Sequence, residues 1–400
     1  KFGETSNKWL PYATEYFNYL GTDKMTAEQL KQKFYELACS YSINVGSRTL
    51  QVSISGLAEN MTEAMTLMED FIANAKVDKE AYDKYVGIVE KSRADNKLDQ
   101  RVNFNRLQQY GMYGPYNGAR NMPSSTELKE MDPQKLVDMI KDLKNYKHSV
   151  LYYGPMDLKT LTATINKKHK TAKKLADVPQ NKPYKLQQTA QNEVLIAPYD
   201  AKNIYMIQYH NEGNTWNAEQ EPIAALFNEY YGGGMNTVVF QELREARGLA
   251  YSAFAMYGTP SYKDDTEFAY TYIISQNDKM MDCINTFNSI LDTMPQSEKA
   301  FELSKQALMK RLATSRTTKT GILNAYINAE NLGIDYDINK KIYEAVPSLT
   351  LEDVAKFEKE NMANKPYRYI ILGDEKQLDM KALEKIGPVK RLTTEEIFGY

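Results

Sequence analysis

The sequence predicts an α+β protein of two tandem homologous domains, each a mostly antiparallel sheet packed with several long helices, the first lacking its opening strands. Three observations predict it. A chain of 400 residues exceeds one small core and fits two domains of ordinary size. Short stretches of period-two alternation are interleaved with runs of helical period. Landmarks of both kinds also recur in one order at an offset near 210 residues.

The helix ending Tyr16-Phe17-Asn18-Tyr19-Leu20-Gly21 recurs as Phe227-Asn228-Glu229-Tyr230-Tyr231-Gly232, each stopped by glycine. Tyr41-Ser42 opens a strand in the way that Tyr251-Ser252 opens another. The alternating stretches 50–57 and 268–274 follow, and each leads into a helix, 59–74 and 277–293. Last come a helix and a strand ending in glycine, 134–145 with 150–154 and 351–362 with 369–373. Before its first helix the second copy carries two strands, 194–197 and 204–209, for which the first copy has no counterpart. Polar, proline-punctuated sequence marks the boundary. The predicted domains are therefore 1–178 and 193–400, joined by a linker over 179–192. Residues 110–118, rich in tyrosine and glycine, read as an aromatic loop.

Composition narrows the chemistry. Fifty basic residues stand against 52 acidic ones, with no basic cluster interleaved with aromatics, so no nucleic-acid or anionic-membrane partner is expected. No apolar run approaches the roughly 20 residues of a spanning helix. The start at Lys1 has neither an initiator Met nor a signal-like apolar region, as a trimmed piece would. Cys39 and Cys283, far apart in segments that read as helical, are expected as buried free thiols. Only three histidines are present, and His148, His169 and His210 share no metal-ligand spacing in sequence. No Gly-x-Ser-x-Gly elbow appears.

Two segments carry the candidate chemistry. The first is Tyr12-Ala13-Thr14-Glu15-Tyr16, followed by Gly21-Thr22. It resembles, in a degenerate form, the H-x-x-E-H helix and Gly-Thr turn of the inverted zincins, the insulinase/pitrilysin family of zinc peptidases. In that motif two histidines one helical turn apart bind zinc, and the glutamate is the base for the attacking water. Here tyrosines stand at both histidine positions and only Glu15 matches. Neutral phenols are poor zinc ligands. The resemblance would make Glu90 the relic of the family's third ligand. In the second copy Ile223, Leu226 and Phe227 hold the equivalent positions, so no metal is expected in either domain.

The second segment is the run from Gly232 to Ser252. Its glycines suit a tight turn better than a phosphate cradle, because the Gly-Lys-Ser/Thr ending of a P-loop is absent. Asn236 is the expected N-cap, Val239, Phe240 and Leu243 the buried face, and Gly248 the C-terminal glycine. Arg244 then sits in the last turn and Tyr251 at the start of the next strand. This pattern resembles the same family's half without zinc, where an arginine and a tyrosine seven residues later reach toward the substrate. The first copy has Phe34 at the place of Arg244, so the arginine is not a requirement of the fold. An arginine can donate several hydrogen bonds to peptide carbonyls, and a tyrosine one to a developing oxyanion.

The resemblance implies the non-catalytic half of a zinc-dependent peptidase, inactive alone. It would bind peptide substrate through Arg244 and Tyr251, while zinc and the general base sit on a zinc-bearing N-terminal half or subunit. A catalytically dead peptide-binding or structural scaffold is the competing expectation. A hydrolase acting through Glu15 would need a second carboxylate opposite it.

Overall fold

The computed structural model describes residues 2–232 and 234–400; Lys1 and Gly233 lie outside the described residues. The chain divides into two compact units, one of Lys1–Leu98, Gly118–Tyr184 and Tyr400, the other of Asp99–Asn117 and Lys185–Gly399.

The first unit begins with helix α1 (Leu10–Phe17), which carries Pro11 in its first turn and buries Leu10, Ala13, Tyr16 and Phe17. Helix α2 (Ala27–Glu36) opens on a capping box made by Thr26 and Gln29. Strands β1 (Cys39–Val45) and β2 (Leu50–Gly56) then pair antiparallel from Cys39↔Gly56 to Val45↔Leu50. Helices α3 (Met61–Asn74) and α4 (Lys79–Leu98) follow. The core gathers one face of each element, with Phe17 against Phe71 at 4.4 Å between ring centres and Tyr16 edge-on to Tyr82. Each such buried ring contributes on the order of 1.5–3 kcal/mol.

The expected strand over 150–154 does not form. Val150, Leu151 and Tyr153 are exposed, and no strand lies beside them among the described residues. The matching strand of the second unit sits between two neighbours that satisfy its backbone on both edges. A strand without such neighbours gains no ladder hydrogen bonds to offset the entropy of ordering it.

Helix α5 (Gln100–Tyr113) corrects two expectations. Asp99 caps its N-terminus through Val102 N–H, and Gly114, at φ +78°, ends it, so Tyr110–Tyr113 is helical rather than loop. Residues 99–117 also cluster with the second unit, although the sequence assigned them to the first domain. The reason is local. Gly111 has no Cβ, and one placed there would fall 2.4 Å from Ile370, so the helix lies directly on the sheet. Arg368 then donates to the Gly111 carbonyl at 2.5 Å.

That sheet has six strands, which we number by sequence as β3 (Glu193–Ala197), β4 (Asn203–His210), β5 (Ala250–Gly258), β6 (Phe268–Gln276), β7 (Arg368–Leu372) and β8 (Val389–Arg391). Their spatial order is β5-β6-β4-β7-β3-β8. The first three pairings are antiparallel, and β3 runs parallel to both β7 and β8, so the sheet is mixed. Alternation divides its faces. One presents Ile204, Met206, Ala253, Ala255, Ile273 and Ile371 to the main helical core. On the other, Phe104 of α5 meets Tyr205 and Tyr272, and Phe254 lies 4.9 Å from Tyr272. The two cysteines are buried free thiols, Cys39 at the start of β1 and Cys283 on a helix.

Candidate functional site

In α1, Tyr12, Glu15 and Tyr16 lie within one turn, and each is held by the protein. Tyr16 is fully buried; its hydroxyl donates to the Asp78 carbonyl at 2.7 Å and accepts from the Asp78 N–H at 3.0 Å. Burial raises its pKa, so it stays a neutral phenol. Glu15 accepts from the Tyr85 hydroxyl at 2.9 Å. Desolvation, with the charge of Glu15 beside it, pushes the Tyr85 phenol far above its ordinary range. The neighbouring Tyr82 is pushed up to about 12, mainly by burial.

Tyr12 faces a cation of the chain's own. Arg93, buried on α4, donates from Nη2 to the Tyr12 hydroxyl at 3.3 Å and lies 3.5 Å from Glu90. It also donates to the Pro123 carbonyl at 2.7 Å, and the Tyr400 ring stacks 4.9 Å from its guanidinium carbon. The guanidinium therefore links the first histidine position of the degenerate motif to Glu90. Two phenols and an arginine do not form a donor set that fits zinc. A cavity of about 470 Å³ opens beside Glu90, lined by Tyr82, Asp83, Val86, Gly87 and Lys129, and excludes Tyr12, Glu15 and Tyr16.

The second candidate lies in the other unit. The helix Glu221–Phe227 passes into a π turn over Asn228–Gly232. Gly232 touches β5 so closely that a Cβ there would fall 2.5 Å from the Ala255 carbonyl oxygen. The next helix begins at Val238 with Thr237 at the N-cap, one residue later than the expected Asn236. The Thr237 hydroxyl donates to the Gly234 carbonyl at 2.8 Å, closing the turn itself. Residues Gln241–Glu245 form a second π turn, a form enriched at functional sites. Gly248 ends it at φ +58°, with its N–H on the Arg244 carbonyl.

Arg244 projects from that π turn into solvent with its guanidinium 5.0 Å from the Phe240 ring centre. Arg247 in the next turn is paired with Glu242, whereas Arg244 has no carboxylate partner among the described residues. Tyr251 sits at a bulge: Ala250 pairs with Ser275 and Ser252 with Ile274, leaving Tyr251 as the extra residue on the edge strand. Its side chain is 55% exposed, and its hydroxyl accepts from Gln276 Nε2 at 3.1 Å. By alternation Gln276 shares a face of β6 with Tyr272 and Tyr270. Arg244 lies against Phe240 and Tyr251 is bonded to Gln276, with no hydrogen bond between the two among the described residues.

Sequence reasoning missed Arg93, Gln276 and the bulge. The three-residue spacing of Glu90 and Arg93 on a helix was a usable signal for the first. Gln276 and the bulge depend on cross-strand register and leave no local mark.

Residues 131–308 match the family described as the peptidase M16 inactive domain, as the insulinase-like resemblance implied. No curated protein sequence matches the chain. Among solved structures, the peptidase M16 inactive domain from Pseudomonas fluorescens is similar at 12% identity and a TM-score of 0.66, over 93% of this chain and 90% of that one. A protease from Helicobacter pylori gives 12% identity and 0.67 over 93% and 92%. A ferredoxin protease, FusC, in complex with Arabidopsis ferredoxin gives 13% and 0.70, over 93% of this chain but 41% of that one. These likenesses share the mixed α+β fold.

Proposed function

We propose, for a chain whose residues 131–308 carry the inactive domain of the M16 peptidases, that the protein is the non-catalytic half of a zinc-dependent peptidase. It binds peptide substrate and assists the transition state through Arg244 and Tyr251. Zinc, its ligands and the general base belong to a partner half. The observation that carries this reading is the pair itself: an exposed guanidinium without a carboxylate partner among the described residues, and an exposed phenol re-aimed by a bulge on an edge strand. Arg244 supplies donors for peptide carbonyls, and Tyr251 one donor for the oxyanion formed when metal-bound water attacks. The half-exposed rings of Phe254, Tyr270 and Tyr272 offer apolar contact for substrate side chains. One fold of this kind was solved with ferredoxin, so a protein segment is a reasonable substrate class.

We read the chain as two copies of one domain. Both run helix, helix, strand, strand, 3-10 turn, helix in the same order. The exposed 150–154 segment supports a first copy whose sheet is completed by two further strands, as β3 and β4 flank β7 in the second.

The test is reconstitution with a half that bears H-x-x-E-H. Arg244→Ala and Tyr251→Phe should each lower kcat/KM at least tenfold with folding unchanged. Wild-type rates in both variants, with substrate still bound, would favour the scaffold.

A further inference from the structure

Outside both candidate sites, two histidines 21 residues apart in sequence meet in the first unit. His148 follows the helical turn at Asp142–Asn145, and His169 ends helix α8 (Leu158–Lys168). Their Nε2 atoms lie 2.9 Å apart, with the rings nearly perpendicular at 85°. Nδ1 of His148 is 2.7 Å from the Tyr146 carbonyl oxygen, and Nδ1 of His169 is 2.5 Å from Glu69 Oε1. A carbonyl and a carboxylate only accept, so each Nδ1 carries the hydrogen. In a ring with that one hydrogen the lone pair is on Nε2, and two such lone pairs point at one another here. That contact is repulsive unless an electrophile lies between them.

We infer that His148 and His169 form a two-imidazole binding site for a divalent transition metal ion of the zinc class, with Glu69 as the orienting carboxylate. Imidazole nitrogen is the preferred donor for such ions. A carboxylate on the far nitrogen is the device that fixes the tautomer and raises the basicity of metal-binding histidines. Two nitrogens on one tetrahedral ion stand about 3.3 Å apart, so the pair needs to open by only about 0.4 Å. His169 also closes α8, where the negative end of the helix dipole favours a cation. Among the described residues no third His, Cys, Asp or Glu converges on the point. Water therefore completes the shell, reached through the exposed side of His148. The ion ties the end of α8 to the segment after Asn145 and, through Glu69, to α3. It staples the stretch that contains the unpaired 150–154 segment.

The experiment is calorimetric titration of Zn²⁺ into the chelator-stripped full chain at pH 7.5, with imidazole nitrogen shifts followed by NMR. One ion per chain should bind, shifting both Nε2 resonances and raising Tm as added metal exceeds its Kd. His148→Ala and His169→Ala should abolish uptake, Glu69→Gln should weaken it about 10- to 100-fold, and His210→Ala should leave it unchanged. Circular dichroism and metal-free Tm establish that the variants fold. Absence of uptake by the wild-type chain, uptake that survives His148→Ala, or a shared-proton imidazolium that persists in excess Zn²⁺ would each overturn the assignment.

Discussion

Tyr85 donates its phenolic hydrogen to Glu15 at 2.9 Å, and that contact occupies the one residue of the degenerate motif that matches a zinc peptidase base. Tyr16 is sealed against Asp78 and Tyr12 bonded to Arg93, so every polar side chain of the motif has a partner within the chain. The chain alone is expected to show no peptidase activity in chelator, and Glu15→Gln no change from that background. Cleavage that requires Glu15 would refute this.

Tyr16 contributes through its hydroxyl as well as its ring. Tyr16→Phe leaves the Asp78 N–H and carbonyl without their partner, which costs about 1–3 kcal/mol. Urea denaturation should show a lower midpoint at an unchanged slope.

Arg93 is the buried charge of that region. Arg93→Met removes the donors to the buried Pro123 carbonyl, to Tyr12 and to Ser125, and leaves the partly exposed Glu90 without its partner. Its cost should be about 2–4 kcal/mol, against an unchanged midpoint for the exposed Lys84→Met. Equal midpoints for the two would remove Arg93 from the account.

A pH prediction attaches to Glu358 in the second unit. Burial, with Asp292 adding repulsion, pushes its carboxyl up to about 8, and one oxygen has no hydrogen-bond partner. The native state holds a proton that the unfolded chain releases near 4.5, so stability is full below that pH and is lost as pH rises through 8. Glu358→Gln stays neutral throughout. Its Tm should match wild type near pH 4.5 and exceed it at pH 8.5, by a few kcal/mol in stability terms. A difference independent of pH would contradict the assignment.

Much of this was legible locally. Helix α3 was legible through its helical period, and strands β2 and β6 through alternation. The placement of α5 was not, because what brings it to β7 is the missing side chain of Gly111 and the reach of Arg368, both long-range facts. The stretch 150–154 has a strand's sequence without a strand's neighbours, and local pattern encodes only the first. Arg244 and Tyr251 were singled out by resemblance to the insulinase-like pattern, whereas the bulge at Tyr251 arises from cross-strand register.

The central claim is that Arg244 and Tyr251 serve substrate rather than fold. Both are exposed, so Arg244→Ala and Tyr251→Phe should change stability by less than about 0.5 kcal/mol. The most direct measurement is kcat/KM of the reconstituted two-half peptidase with each variant. The account predicts a loss of tenfold or more in each at unchanged Tm; wild-type kcat/KM in both would contradict it.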